Sequence, residues 1–144
     1  MSTYPSQDTP RTERMALFLA LLAGLAVLSS GCSSSYSGER LYWNAHRSSR
    51  PILESATPVS AEILTEAIRA FEGVVAGAPG TMWAGRAQFA IGSLHASQGE
   101  YDTARAAYAL VLQNYHQFQD LGLSARVSTA KTYEAEQRWE EAVK

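Results

Sequence analysis

The stretch IGSLHASQGEYDTARAAYALVL, residues 91–112, decides the fold because its apolar residues return every three or four positions on both sides of a glycine. That spacing is the period of an amphipathic α-helix. The pattern stops at Gly99, a residue type common at helix ends, and resumes at Tyr101 and Asp102. Gly92 lies inside the first half, where a glycine costs about 1 kcal/mol relative to alanine, so we expect a packing reason for it. The stretch predicts two helices joined by a tight turn.

The same helical period continues in both directions from this stretch. Thr57 and Pro58 form a typical helix start, and the apolar stripe that follows ends at residues 77–81; its members are Ile63, Ala67, Ala70, Phe71, Val74 and Val75. Thr81 is expected to cap the next helix, a fourth pattern covers residues 121–136, and a fifth begins at Trp139. Because no segment alternates with period two, the sequence predicts an all-α fold.

Small and aromatic residues recur along the chain at a fixed offset. Ala104 and Tyr108 follow Ala67 and Phe71 by 37 residues. By an offset of 38 residues, Gly92, Tyr101 and Ala104 are followed by Ala130, Trp139 and Ala142. A period between about 20 and 50 residues is typical of stacked helical repeats. The sequence is therefore predicted to be a tandem array whose last unit is incomplete, so that a longer array or another chain would complete it.

These positions resemble the tetratricopeptide repeat (TPR) family over residues 60–144. The residues that carry the resemblance are Ala67, Phe71, Pro79, Gly92, Gly99, Tyr101, Ala104, Tyr108, Trp139 and Ala142. The departures are Gln88 and His95 at positions where the family prefers large aromatics, His116 where it prefers proline, and a spacing three or four residues longer than the usual ~34. Longer units of this kind look like those of periplasmic lipoproteins, including the helical lipoprotein of the barrel-assembly machine and the coordinator associated with the Tol-Pal system. The resemblance implies tandem antiparallel helix-turn-helix repeats that form an α-solenoid.

Two glycines have different predicted roles in this arrangement. Gly92 is expected to let the facing helix approach closely at Ala104, and Gly99 to adopt the left-handed conformation that ends a helix. The aromatic residues are expected to fill the seams between successive helices, and they are Phe71, Tyr101, Tyr108 and Trp139.

The amino-terminal segment has the pattern of an export signal. Residues 15–28 form an unbroken apolar run behind Arg11 and Arg14. As a helix this run would be about 21 Å long, which is short of the ~30 Å hydrocarbon core of a bilayer, so export is favoured over a spanning anchor.

The sequence LSSGC that follows contains Cys32, the only cysteine of the chain. It resembles a bacterial lipoprotein lipobox, with Ser29 in the position where that family usually has leucine. The resemblance implies cleavage before Cys32, acylation of this residue and membrane attachment through lipid. Ser33 at the next position implies the outer membrane, with the inner membrane or secretion as alternatives. An ordinary cleaved signal that leaves a free thiol is the other interpretation.

The predicted organisation is a signal peptide over residues 1–31, a lipidated cysteine with linker over 32–57, and TPR-like repeats over 58–144. The serine-rich start of the linker, with Gly38, predicts a flexible tether. Residues 41–45 form an apolar cluster that suits a short helix capped by Ser37. Its Leu41 or Trp43 is expected to pack on the domain, and a membrane-interface or partner contact is the alternative.

No pattern of catalytic or metal-binding residues occurs in the sequence. It has no metalloprotease, phosphate-loop or nucleophile-elbow motif and no paired cysteines, so we expect no enzyme activity, no cofactor, no metal and no small-molecule substrate. Gly99 separates His95 from Glu100, which implies no shared helical face for them, and a polar filler role is expected for His95. The net charge of −2 and the predicted export argue against a nucleic-acid partner.

The resemblance implies a binding surface on the concave side of the array, formed by the first helix of each unit. The matching positions are Arg86, Phe89, Ser93, Ala96, Ser124, Val127, Lys131 and Glu134. Phe89 and Ser93 replace the lysine and asparagine with which some family members clamp a terminal carboxylate, so a helix or an extended segment is the expected ligand. Simple solvent exposure of each position is the alternative.

The sequence thus predicts a lipid-anchored adaptor that faces the periplasm and binds other envelope proteins or peptides. A self-associating structural component of the envelope, without a specific client, is the alternative.

Overall fold

The computed structural model describes residues 36–55 and 59–143, and these residues are helical, with no strand among them. Helix α1 covers residues 36–53. The five helices that follow are α2 (Ala61–Gly77), α3 (Met82–Ser97), α4 (Tyr101–Asn114), α5 (Gln119–Ala135) and α6 (Trp139–Ala142). The all-α prediction is confirmed for this part of the chain. The predicted signal segment, Cys32 and the helix start at Thr57 and Pro58 lie outside the described residues.

Helix α1 differs from the flexible tether and short helix that the sequence suggests. It is already helical at Tyr36, so Ser37 lies inside it and is not its N-cap. Gly38 is buried, and a Cβ added there would lie 2.7 Å from Cβ of Ala78. The glycine that suggested flexibility therefore marks a close approach between α1 and the end of α2. Ala45 and Ile52 of α1 are also buried in the core.

The helix ends follow the local sequence. The Thr81 hydroxyl accepts a hydrogen bond from the backbone N–H of Ala84 at 3.3 Å and caps α3, as expected. Gly99, with φ of 79°, ends α3 in the left-handed conformation, as predicted. Helix α2 begins at Ala61 after the N-cap Ser60, which is later than the Thr57 start suggested by the sequence.

The left-handed residue Gln137 repeats the turn of Gly99. Gln137 has φ of 61° and lies 38 residues after Gly99. The backbone N–H of Arg138 donates to the carbonyl of Tyr133 at 2.9 Å, as that of Glu100 donates to His95 at 3.0 Å. The repeat therefore extends to backbone hydrogen bonding, even though the second turn lacks the glycine.

Consecutive helices pack against each other as antiparallel pairs, because their contacts join the start of one helix to the end of the next. The Gln98 side chain at the end of α3 accepts from the Val59 N–H before α2 at 2.9 Å, and Arg105 of α4 donates to Glu136 after α5 at 2.7 Å. Helix α3 also contacts α5 directly. Apolar residues of α1, α2 and α3, with Ala107 of α4, form one core cluster. Other residues of α4 and α5 form a second one, against which Phe89 and Ala96 of α3 pack.

Gly92 has the packing role that was expected, with a different neighbour. A Cβ at this position would lie 2.5 Å from Cε1 and 2.7 Å from Cδ1 of Tyr108, so the tyrosine ring occupies the space, not the methyl group of Ala104. Tyr108 is buried and stacks against Phe89 at a centroid distance of 5.3 Å. The missing side chain thus makes room for an aromatic ring of the facing helix.

Two predicted core positions are exposed. Ile63 is 51% exposed, and Leu64 faces the core in its place. Trp139 is 62% exposed and does not fill a seam, because α6 ends at Ala142 and has no buried residue. Phe71 and Tyr108 are buried as predicted, and Tyr101 is partly buried.

Candidate partner-binding face

The predicted concave residues lie along α3 and α5, which are adjacent in the structure. Near the start of both helices they line an open recess of about 470 Å³. Arg86 of α3 and Ser124 of α5 both face this recess, with Met82, Phe118, Asp120 and Leu121 among its other lining residues. The structure therefore brings together two of the positions that the sequence assigned to one face.

A second recess, of about 200 Å³, lies further along the same two helices. It is lined by Ala96 of α3 and Lys131 of α5, together with Tyr101, Tyr108, Ser128 and Thr132. Ser124 follows Arg86 by 38 residues, and Lys131 follows Ala96 by 35 residues. Helices α3 and α5 therefore run in the same direction, with an offset close to the repeat length. The two recesses form a track along both helices.

Phe89 and Ser93 lie on α3 between Arg86 and Ala96, and both contact Tyr108 of α4. The Phe89 ring packs on Tyr108, and the Ser93 hydroxyl lies 3.4 Å from the Tyr108 hydroxyl. Both residues are only partly exposed. Neither residue is among those that line the two recesses, and their contacts with Tyr108 fix their positions.

Val127 and Glu134 complete the predicted set on α5, and both are exposed. Val127 lies one helical turn after Leu123, which is also largely exposed. Neither Val127 nor Glu134 is among the residues that line the two recesses, so the structure does not bring them together with Arg86 and Ala96.

An aromatic and arginine cluster borders the first recess, and the sequence analysis did not identify it. The Arg86 guanidinium lies 5.0 Å above the centre of the Trp83 ring, which packs against Tyr42 at 5.5 Å. Burial raises the pKa of the Tyr42 hydroxyl, and the positive charge of Arg86 acts against this rise. Only the tertiary contact between α1 and α3 assembles these side chains, although an exposed arginine three residues after a tryptophan is a recognisable signal for a stacked pair.

Arg105 holds the far end of the face together and was also missed. Its guanidinium contacts Asp102, donates to Glu136 and to the Thr132 hydroxyl at 2.7 and 3.2 Å, and lies 4.3 Å above the Tyr133 ring. The side chain is only 10% exposed. A guanidinium can make these bonds at once because its donors diverge within one plane, so Arg105 joins α4 to the end of α5.

His95 and Glu100 are in direct contact across the turn, although they share no helical face. The turn at Gly99 folds back so that His95 Nδ1 lies 2.6 Å from Glu100 Oε2. Within residues 36–55 and 59–143 no cluster of three potential metal ligands occurs, at this pair or elsewhere. The pair links the end of α3 to the start of α4.

A third recess, of about 400 Å³, opens between α2 and α4, with His95 and Ile91 of α3 at its base. Its walls include Val75, Ala76, Ala106 and Leu110. None of the predicted concave residues lines it, so it provides a reference surface for experiments on the α3–α5 track.

Comparisons with protein-family models, with curated proteins and with solved structures find no match to this chain. In the part of the chain that the structure describes, no helix is both long and apolar enough to cross a bilayer.

Proposed function

We propose that this protein is a non-enzymatic adaptor whose TPR-like solenoid binds envelope proteins or peptides along the track between α3 and α5. The observation that carries the proposal is the convergence of four sequence-predicted positions on two aligned recesses: Arg86 with Ser124, and Ala96 with Lys131. Antiparallel pairing of consecutive helices, with direct contact between α3 and α5, is the packing expected of such a solenoid.

The composition of the track favours a peptide or helix as ligand. Met82 and Leu121 supply apolar surface, and Arg86, Ser124 and Lys131 supply hydrogen-bond donors. A segment with apolar anchors at one side and polar or acidic residues at the other would match this order. The proposal includes export, acylation of Cys32 and attachment to the outer membrane on the periplasmic side, which rest on the lipobox resemblance.

Photo-crosslinking in living cells tests the adaptor proposal. A photoreactive amino acid placed at Ser124 or Lys131 should give a discrete adduct with another protein, which mass spectrometry identifies. The same amino acid at Ala106 or Leu110, which line the recess between α2 and α4, should give no such adduct. Equal labelling from both surfaces would refute the assignment of binding to the α3–α5 track.

Self-association is a second candidate because a specific surface favours it. Large apolar residues are exposed on α5 and after it: Leu123, Val127, Trp139 and Val143. A second copy could cover them. In that case the crosslinked adduct would have twice the mass of the chain, and Trp139→Ser would shift the protein to monomer in analytical ultracentrifugation.

A further inference from the structure

The outer face of α1 carries a stripe of basic and aromatic side chains. Its residues recur at steps of three and four, all are exposed, and they are Tyr36, Arg40, Trp43, Arg47 and Arg50. At about 100° per residue they fall within one narrow sector of the helix. The buried residues of α1 occupy the opposite sector, and they are Gly38, Ala45, Ser49 and Ile52. The stripe therefore points directly away from the core and can meet a flat surface.

The charge of α1 differs from that of the rest of the described chain. Residues 36–55 contain three arginines and two glutamates, whereas residues 59–143 contain six basic and ten acidic residues. Arg50 pairs with Glu54 at 2.7 Å on the surface. Among the described residues, no carboxylate lies within 4.0 Å of Arg40 or Arg47. The outer face of α1 is thus a positive surface on an otherwise acidic domain.

Trp43 supplies the aromatic part of the stripe and is held in an outward position. It is 48% exposed, and its ring makes edge contacts with Tyr42 and His46 at centroid distances of 5.6 Å each. Beside it lies a surface recess of about 290 Å³ lined by Trp43, His46, Arg47 and Arg50. Arginine donors suit phosphate oxygens, and an indole ring with one polar edge suits the boundary between lipid headgroups and acyl chains.

We propose that this face of α1 docks on the headgroup layer of a membrane rich in anionic phospholipid, with Arg40, Arg47 and Arg50 on phosphates and Trp43 at the interface. Charge complementarity carries the choice of occupant, since an anionic bilayer attracts a straight row of arginines without requiring a groove. The sequence separation adds support that rests on the proposed lipid attachment: four residues from Cys32 to Tyr36 span at most about 14 Å. A lipid on Cys32 would therefore keep α1 at the membrane.

Fluorescence quenching of single tryptophans in the full-length chain tests this docking. The variant Trp83→Phe/Trp139→Phe keeps only Trp43. The variant Trp43→Phe/Trp83→Phe keeps only Trp139, which is more exposed than Trp43 and distant in sequence. Both are reconstituted in vesicles that contain brominated phosphatidylglycerol or brominated phosphatidylcholine. We expect strong quenching of Trp43 by the anionic lipid at low salt, weak quenching in 1 M salt, and little quenching of Trp139 under either condition.

Neutralising two arginines tests whether the positive charge of α1 holds it on the membrane or whether the lipid on Cys32 merely keeps it nearby. In the Trp43-only chain, Arg40→Gln/Arg47→Gln should lower the ratio of docked to undocked protein about 30-fold, because each basic residue near an anionic surface contributes roughly a fivefold factor. The matched control Arg69→Gln/Arg126→Gln, at two exposed basic residues of α2 and α5 that line none of the recesses, should leave the ratio unchanged. Far-UV circular dichroism of each variant shows that the helices are retained.

Three results would overturn the inference: equal quenching of Trp43 and Trp139, equal quenching of Trp43 by the anionic and neutral lipids, or insensitivity to Arg40→Gln/Arg47→Gln. An unquenched Trp43 would assign this face to a protein partner. Failure of the lipid attachment is recognised separately, because the mass of the chain purified from membranes reports whether Cys32 is acylated.

Discussion

Gly92→Ala is the substitution that most directly tests the packing of this protein, because one methyl group is enough to disturb it. The new Cβ would lie 2.5 Å from Cε1 of Tyr108, closer than any ordinary carbon contact. Tyr108 cannot move freely, since its ring is 2% exposed and packs on Phe89 on another side. Helix α3 and helix α4 must therefore separate, or the ring must leave its rotamer.

The size of the effect follows from two opposing terms. Alanine in place of glycine in a helix interior contributes about 1 kcal/mol of helix propensity. Overpacking a rigid core contact costs about 1–3 kcal/mol, and a contact this short lies at the upper end of that range. We expect Gly92→Ala to reduce the free energy of unfolding by about 2 kcal/mol, with a fall in Tm of roughly 8–16 °C for a domain of this size.

Gly73→Ala is the matched control. Gly73 is also a helix-interior glycine, but no atom lies within 4 Å of the position its Cβ would take. Only the propensity term applies, so this variant should be more stable than the parent by about 1 kcal/mol. Urea unfolding followed by circular dichroism measures both variants.

The double variant Gly92→Ala/Tyr108→Leu identifies the clash partner. Removing the ring should make the alanine at position 92 harmless, which a double-mutant cycle would report as a coupling energy of about 1–3 kcal/mol. If Gly92→Ala stabilised the protein as Gly73→Ala does, the close contact between α3 and α4 would not exist in solution and the proposed repeat packing would be wrong.

Three further predictions concern the turns, the ion network and the response to pH. Gln137→Gly should stabilise the folded chain by about 1 kcal/mol, because Gln137 has a left-handed backbone that glycine adopts without strain. Gly99→Gln should destabilise the folded chain by a similar amount, and urea unfolding midpoints measure both effects. Arg105→Lys should lower the free energy of unfolding by about 1–2 kcal/mol, since one ammonium group cannot replace the diverging donors of the guanidinium. The control Arg69→Lys, at an exposed site, should leave the free energy of unfolding unchanged, and equal effects of the two substitutions would contradict the role of the Arg105 ion pairs. Burial raises the pKa of the Tyr115 hydroxyl, so with rising pH this proton is lost from the unfolded chain before it is lost from the folded one. Stability should therefore fall as the pH rises above about 10, and Tyr115→Phe should reduce that fall in thermal melts recorded between neutral and alkaline pH.

Local sequence signals placed most of the helix ends correctly. Thr81 and Gly99 act through their own backbone and nearest neighbours, so their roles could be read without knowledge of distant residues. The same holds for the apolar stripes of α3 and α4, whose period reports which face is buried. The left-handed Gln137 was not foreseen because glutamine has no local preference for that conformation; only its position in the repeat indicates it.

The candidate site was predicted in part. The resemblance to the repeat family implied that Arg86, Ser124, Ala96 and Lys131 share one concave face. In the structure Arg86 shares one recess with Ser124, and Ala96 shares another with Lys131. The stacking of Arg86 on Trp83 beside Tyr42 could not be predicted, since α1 appeared as a linker. A pattern within one helix does not state which other helix will cover it.

The amino-acid sequence alone determined that the described chain is helical, where its turns fall and which residues recur at an offset of 37 or 38. These properties depend on period, capping and glycine conformation, which act over a few residues. Only the tertiary structure decided that Tyr108 fills the space at Gly92, that Arg105 joins α4 to α5, and that α1 packs on the domain through Ala45 and Ile52. These are contacts between residues distant in sequence, and they depend on how side chains of several helices fill one shared volume.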